Sequence, residues 1–531
     1  MIQTEIRLPL SYTDADIETA LRAQLPLGDA PITNIKKLRR ALKGGGEEGH
    51  YYTLRVAFSV SEEKEIGLLK MKKKVLPYEE PILTVPKIEA KTPPVVVGMG
   101  PAGLFCALIL AEAGARPILL ERGRPVEERA KDVAAFFLGG ALSESSNIQF
   151  GEGGAGAFSD GKLKFGTRDG VVMKVLSSLV EGGAPEDIVY KDSPHVGTDL
   201  LRDCVRSIRE RLLSLGATVH YGARMCGFSA ENGHITAVEY EEDGARHTIE
   251  TDALFLATGH SAHDVFELLY EKGFSLEAKG FGVGVRVEHP REYINALVYP
   301  KKEEREMLGA ASYHLVTHLE NGRSVYSFCM CPGGTVVAAA SDASGLCTNG
   351  MSEHARDGEN SNSALLVSVT PEDFPSNHPL AGLALQKELE RAAFFAGGAD
   401  HKAPTIRMQD FMEQNEPRAL GSVQPSYPRG VRLVSPEKYL PSYITESLRE
   451  GIRDFDAWMP GFYHPDALLT GVEARSTSPV RIIRTESGEA NAVLGLYPCG
   501  EGAGYAGGIV SSAADGIRAA IKYIKNKRSE P

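Results

Sequence analysis

An α/β fold class, built on a doubly wound parallel sheet, is predicted by three observations. The run Val95-Val96-Val97-Gly98-Met99-Gly100-Pro101-Ala102-Gly103 leads into an apolar stretch and then Ile118-Leu119-Leu120-Glu121, which reads as strand, glycine turn, helix, strand and terminal acid in one unit. Two later runs, residues 251–259 and 492–500, have the same buried-strand character and also end in glycine turns. Between them, from about residue 278, the texture changes to shorter alternating strands and Gly/Ser-rich loops. A sheet fed from both sides of such a stretch makes the nucleotide-binding domain discontinuous, with a mixed α+β domain inserted in it.

In chain order, residues 1–76 read as a small α+β domain. Residues 2–8 alternate as a strand, Thr13 or Asp14 caps a helix to about Leu25, 51–60 is a β-prone run, and 62–74 is a helix with an acidic start and a basic end that match its macrodipole. Residues 77–94 form a linker, since 76–94 contains five prolines and no helical period. The glycine unit then opens residues 95–277, the first part of a Rossmann-like domain. Gly98 allows the tight turn, Gly100 lets backbone approach a pyrophosphate, and Gly103 lets helix and strand pack closely. Pro101 and Ala102 begin the helix, whose free N–H groups and partial positive charge face phosphates. Glu121, 18 residues past Gly103, suits the ribose hydroxyls of an adenosine and disfavours a 2′-phosphate, so FAD or NAD is expected rather than NADP. The absence of charge from Val95 to Ala111 is too short and too rich in glycine for a membrane span. Residues 151–156 and 502–507 satisfy the same glycine pattern without the strand and helix around it. The inserted substrate domain spans residues 278–466, and 467–531 return to the nucleotide domain with a helix from about Ser511.

Composition bounds the function. The 531 residues are 42% hydrophobic and 24% charged, ordinary for a globular protein of two to four domains. Seven scattered cysteines without a C-x-x-C suit a reducing compartment and exclude a zinc ribbon or a disulfide scaffold, so no metal is expected. The first residues do not resemble a signal peptide, and a cytoplasmic location without membrane attachment is the expectation. The net charge of −12 argues against a nucleic-acid partner. It is uneven, with basic runs at residues 35–43 and 70–74 that read as solvated faces or as a docking patch for an acidic protein or RNA.

The glycine unit, Ala257-Thr258-Gly259 and Gly500-Glu501, in that order and with a large insertion before the last, resemble the FAD-binding elements of the second branch of the glutathione-reductase superfamily. Glu501 stands one methylene longer than the family's aspartate. The stretches 147–163, Phe328-Cys329-Met330-Cys331-Pro332-Gly333-Gly334 and Asn349-Gly350-Met351-Ser352 narrow the likeness to bacterial FAD-dependent dehydrogenases of uncharacterised function. The resemblance implies FAD as cofactor, held by Gly98, Gly100, Pro101, Ala102, Gly103, Glu121, Arg122, Gly153, Gly154, Ala257, Thr258, Gly259, Gly500, Glu501, Gly507, Gly508 and Ile509.

It implies an oxidoreductase that passes hydride through flavin N5 to or from a small organic substrate. NAD(P)H, for which no second nucleotide unit is visible, would dock only transiently. Helix N-terminal N–H groups after Gly508 would face the flavin N1 and C2 carbonyl. Ser159, Lys162 and His260 are the catalytic candidates, Ser159 and Lys162 as donors to N5 or substrate; His260 reads better as a surface residue. Cys329 and Cys331 read as a redox pair or as small hydrophobes, and Arg286, Arg323 and Arg475 as anion anchors or ordinary ion-pair partners. Two other readings stand beside the enzyme: a flavin-dependent RNA modifier docking through the basic domain, and a non-catalytic flavin redox sensor.

Overall fold

The computed structural model describes residues 1–45, 49–71 and 74–529; Lys72 and Lys73 of the second basic run lie outside them. At the N-terminus the strands Thr33–Gly45, Gly49–Ser59, Ile2–Leu8 and Leu76–Pro77 lie side by side in that order. Every second residue of Ile2–Leu8 points inward, so Ile2, Ile6 and Leu8 meet Ile17 and Leu21 of the helix Asp14–Gln24 and Leu68 of the helix Glu62–Leu69. The second helix stops at Leu69 instead of reaching 74, and Gly67 weakens its last turn.

The basic run forms the strand Thr33–Gly45 and is paired within the chain. Lys36 meets Glu80, Lys37 meets Asp14 and Arg39 meets Asp192, each at 2.6 Å. Arg40 lies over the rings of Tyr52 and Tyr190. Backbone bonds between Arg40 and residues 190 and 192 complete the seam, so this strand docks the N-terminal sheet onto the body of the protein.

The central sheet has five parallel strands in the order Leu496–Pro498, Leu254–Leu256, Val95–Val97, Ile118–Glu121, Thr218–Tyr221. The helix Pro101–Glu112 is buried on every side from Ala102 to Ala111, as its unbroken apolar sequence requires. It can sit so close because Gly103 has no Cβ to strike the Gly98 carbonyl, and because Gly516 of the crossing helix Ile509–Ser529 has none to strike that of Ala102.

A seven-stranded sheet runs Val316–His318, Ser324–Cys331, Asn360–Val369, Phe281–Pro290, Leu468–Glu473, Ala403–Arg407, Val431–Leu433. Helices Ala381–Ala396 and Ser442–Trp458 bury Leu385, Leu389, Leu448, Ile452 and Phe455 in its core. Leu468–Glu473 lies past residue 466, where the sequence reading ended the inserted domain. Its fully buried residues carry no signal of which sheet they join; pairing with Phe281–Pro290 and Ala403–Arg407 decides it. No described helix is long and apolar enough to cross a membrane.

Candidate functional site

The carboxyl ends of the parallel strands open onto one cavity that continues to the edge of the seven-stranded sheet. It is the place at which open α/β sheets take ligands. Gly98, Gly100, Pro101, Ala102, Glu121, Arg122, Gly154, Ala257, Thr258, Gly259, Glu501, Gly507, Gly508 and Ile509 line it, as do Ser159, Lys162 and His260. Gly103, Gly153 and Gly500 stand behind its wall. The first shapes the helix approach, the second packs on Ala157 and Val205, and the third donates its N–H to Asp515 at 2.8 Å.

At one end the cavity is a backbone cradle. Gly98 turns the chain at φ 96°, and a Cβ there would strike the Ala257 carbonyl. Gly100 is different. Its φ of −70° suits any residue, and a Cβ would meet only the Gly154 Cα, at 3.7 Å. The protein's own packing does not call for a glycine there, whereas a phosphate lying against the helix N-terminus does. Glu121 is buried and accepts N–H bonds from Met99 at 2.8 Å, Gly123 at 2.9 Å and Gly151 at 3.1 Å. The carboxylate therefore ties three turns together as well as facing the cavity. Arg122 pairs with Asp264 and covers the Phe150 ring.

Arg129, which the sequence reading missed, holds the loop of residues 147–154 from behind. Fully buried, it donates to the carbonyls of Asn147, Ile148, Gly151, Glu152 and Gly154. Burial lowers it to about 10, still charged at neutral pH. The only hint in the sequence was an arginine on the apolar face of the helix Val126–Phe137. Asn147 completes the loop as an Asx turn, its Oδ1 accepting from the N–H groups of Gln149 and Phe150.

The far end is a wall of buried and half-buried ionisable groups brought in from five separate segments. Lys162 donates to the Met330 carbonyl and to Ser312 Oγ, and burial pulls it below the ordinary lysine range although Asp160 opposes. Burial pushes Asp160 up, but Arg356 and Lys162 outweigh it and keep it ionised, with Arg356 and Ser352 as hydrogen-bond donors. Glu473 pairs with Arg286 at 3.1 Å, yet burial outweighs that cation and raises it to about 7. Cys329 lies beside them in the lining.

The sequence-derived candidates divide here. Ser159 closes a turn, donating to the Gly156 carbonyl and accepting from the Gly161 N–H. His260 is not on the surface: it is buried, 3.4 Å from Glu501, with Nε2 unpartnered. A glycine turn at the end of a strand looks exposed in sequence, but the crossing of residues 500–502 covers it. Arg475 is spent on Glu390, Ser261 and Ser341, and Arg323 on Asp373. Glu473 went unnoticed because an acid on a strand reads as solvent-facing.

Residues 280–476 match the family described as FAD-dependent protein, C-terminal domain-like. Solved structures are similar only loosely. L-proline dehydrogenase from P. horikoshii is 12% identical, covering 84% of this chain and 96% of that one, with a TM-score of 0.37. The 3-ketosteroid-delta4-(5alpha)-dehydrogenase from Rhodococcus jostii RHA1 is also 12% identical, covering 85% and 100%, with a TM-score of 0.35. Likenesses this distant say nothing of chemistry. An uncharacterised protein of Clostridium beijerinckii is 45% identical over 518 residues, 96% of each chain. At that identity along almost the whole length, this chain belongs to the same family as the Clostridium protein, and its residues 280–476 carry the match to the FAD-dependent domain.

Proposed function

We propose that this protein is an FAD-dependent oxidoreductase that exchanges a hydride with a small organic substrate bound against the wall formed by Lys162, Glu473 and Cys329. The observation that carries the reading is the continuity of one cavity from a phosphate-accepting glycine cradle to a set of buried groups with displaced proton affinities. The family match to FAD-dependent proteins points to the same cofactor.

The residues of the cradle fit such a group. Gly100 and the N-terminus of the helix Pro101–Glu112 would take the pyrophosphate, and Glu121 the adenosine ribose. Gly507, Gly508 and Ile509 would present the N-terminus of the second helix to the ring system. When bound, FAD supplies a two-electron acceptor. Glu473, lifted to about 7, supplies what the cofactor does not, a proton held or released beside the substrate near neutral pH, while Lys162, its proton affinity lowered by burial, stands beside it as a hydrogen-bond donor. Asp160 sustains the Lys162 charge, and Ser312 Oγ and the Met330 carbonyl hold its ammonium in place.

The test is an anaerobic titration of the purified protein with NADH, then NADPH, then dithionite, followed by the absorbance of the oxidised flavin. The reading requires stoichiometric flavin that dithionite bleaches. Bleaching by either nicotinamide would make that nucleotide a transient donor, and bleaching by dithionite alone would make the organic substrate the reductant. A protein that neither retains FAD nor takes it up on reconstitution overturns the proposal.

A further inference from the structure

The turn Cys329-Met330-Cys331 has a use beyond walling the cavity. It sits at an irregularity in the pairing of Ser324–Cys331 with Asn360–Val369, and Cys329 adopts a left-handed φ of 43° that a residue with a side chain seldom takes. The surrounding cations hold it in that shape. Arg286 donates to the Cys329 carbonyl at 2.8 Å and Lys162 to that of Met330. The Cys331 thiol turns back to the Cys329 carbonyl at 3.3 Å and hydrogen-bonds the Cys329 sulfur. Cys329 lines the cavity, whereas Cys331 is completely enclosed behind it.

We propose that Cys329 and Cys331 form a redox-active dithiol that reduces low-molecular-weight disulfides admitted to the cavity. Cys329, the member that faces the cavity, is the attacking thiol. The Cys331 hydrogen bond draws it down to about 6, with Arg286 and Lys162 assisting against burial, so it is largely thiolate at neutral pH. Its sulfur attacks one sulfur of the incoming disulfide. The S–S bond breaks, one thiolate leaves and takes up a solvent proton, and a mixed disulfide remains on Cys329. Cys331 then attacks the Cys329 sulfur, and the second thiolate, as it is released, takes the Cys331 proton. The pair ends as a Cys329–Cys331 disulfide, and the two electrons it has lost appear in two small thiols.

The other adjacent pair, Cys106 and Cys499, provides the contrast. Both are completely buried in the core of the central sheet, neither lines the cavity, and burial pushes Cys106 well up. Cys204 and Cys347 are likewise pushed up by burial. These thiols should stay inert.

The experiment equilibrates the full-length protein under argon with oxidised glutathione, quenches in acid, and counts thiols in denaturant before mapping them by mass spectrometry. The proposal expects the seven thiols to fall to five, with the loss in a peptide linking Cys329 to Cys331. Cys331→Ser should trap glutathione on Cys329, and Cys329→Ser should form no adduct at Cys331. Seven thiols persisting, or a bond formed between Cys106 and Cys499 instead, overturns it. Thiol counting needs no flavin, and the flavin content of the same sample is read separately by absorbance, so this result and the oxidoreductase reading fail independently.

Discussion

The two ends of the cavity are built on opposite principles. The cradle is backbone: Gly98, Gly100 and the N-termini of two helices offer N–H groups whose positions follow from local turns. The wall is side chain: Lys162, Cys329, Glu473, Arg286 and Arg356 come from segments as much as 311 residues apart and are ionisable groups, Glu473 and Arg286 buried and the other three half-buried. The backbone N–H groups of the cradle do not titrate, and their cost lies in conformational order. A buried wall pays in desolvation and gains groups whose charge changes near neutrality. Binding and chemistry are thereby assigned to parts that can be damaged separately.

The segment joining the two ends is the place to damage both. Residues 147–162 run from the cradle to Lys162, and Arg129 anchors their first half through five carbonyls. Arg129→Ala takes the guanidinium from the buried carbonyls of Asn147, Ile148 and Glu152, while those of Gly151 and Gly154 keep backbone N–H donors, at an expected cost of about 3–5 kcal/mol. Denaturant unfolding should show that loss, and the variant should purify without flavin. Wild-type stability with bound flavin would mean that water replaces the guanidinium and that the loop is not held by it. Gly100→Val tests the cradle alone. Its backbone conformation admits valine and the nearest protein atom to its Cβ is 3.7 Å away, so thermal unfolding without added cofactor should be nearly unchanged. FAD affinity, followed by fluorescence quenching, should fall at least a hundredfold, about 2.7 kcal/mol. A yellow, stoichiometrically loaded variant would remove the pyrophosphate from this turn.

The same division explains what could be read from the sequence. Gly98-Met99-Gly100-Pro101-Ala102-Gly103 announces its turn because the constraint is local: φ of 96° at Gly98 and the Gly103 contact with the Gly98 carbonyl arise within six residues. The strand at 254–256, its glycine turn and the C-terminal helix were legible for the same reason. Arg129 and Glu473 were not, because their importance comes from being buried, and burial is set by packing between segments distant in sequence. Leu468–Glu473 shows the limit for the fold itself. An apolar strand states that it is internal but not which sheet it joins. The basic run of residues 35–43 shows the converse, since what reads as a surface patch is matched by Asp14, Glu80 and Asp192 once the chain is folded.

Glu473→Gln sharpens the comparison at the wall, where the effect should depend on pH. Burial lifts Glu473 from its ordinary 4.5 to about 7. Between those values the folded protein keeps a proton that the unfolded chain has released, so the folded state loses stability as pH rises through this window. The contribution is fully present below about 4.5 and gone above 7. Glutamine is neutral throughout, so the variant should lack this slope. Between pH 5.5 and pH 8 the stability of the wild type should fall by about 2 kcal/mol more than that of Glu473→Gln, read from urea midpoints at the two pH values. Parallel pH profiles would mean that Arg286 keeps Glu473 ionised at both pH values. The wall would then hold a fixed Glu473–Arg286 ion pair in place of a proton-carrying carboxyl. Flavin retention should be the same in variant and wild type under either outcome, because Glu473 lies at the end of the cavity that the cradle does not reach.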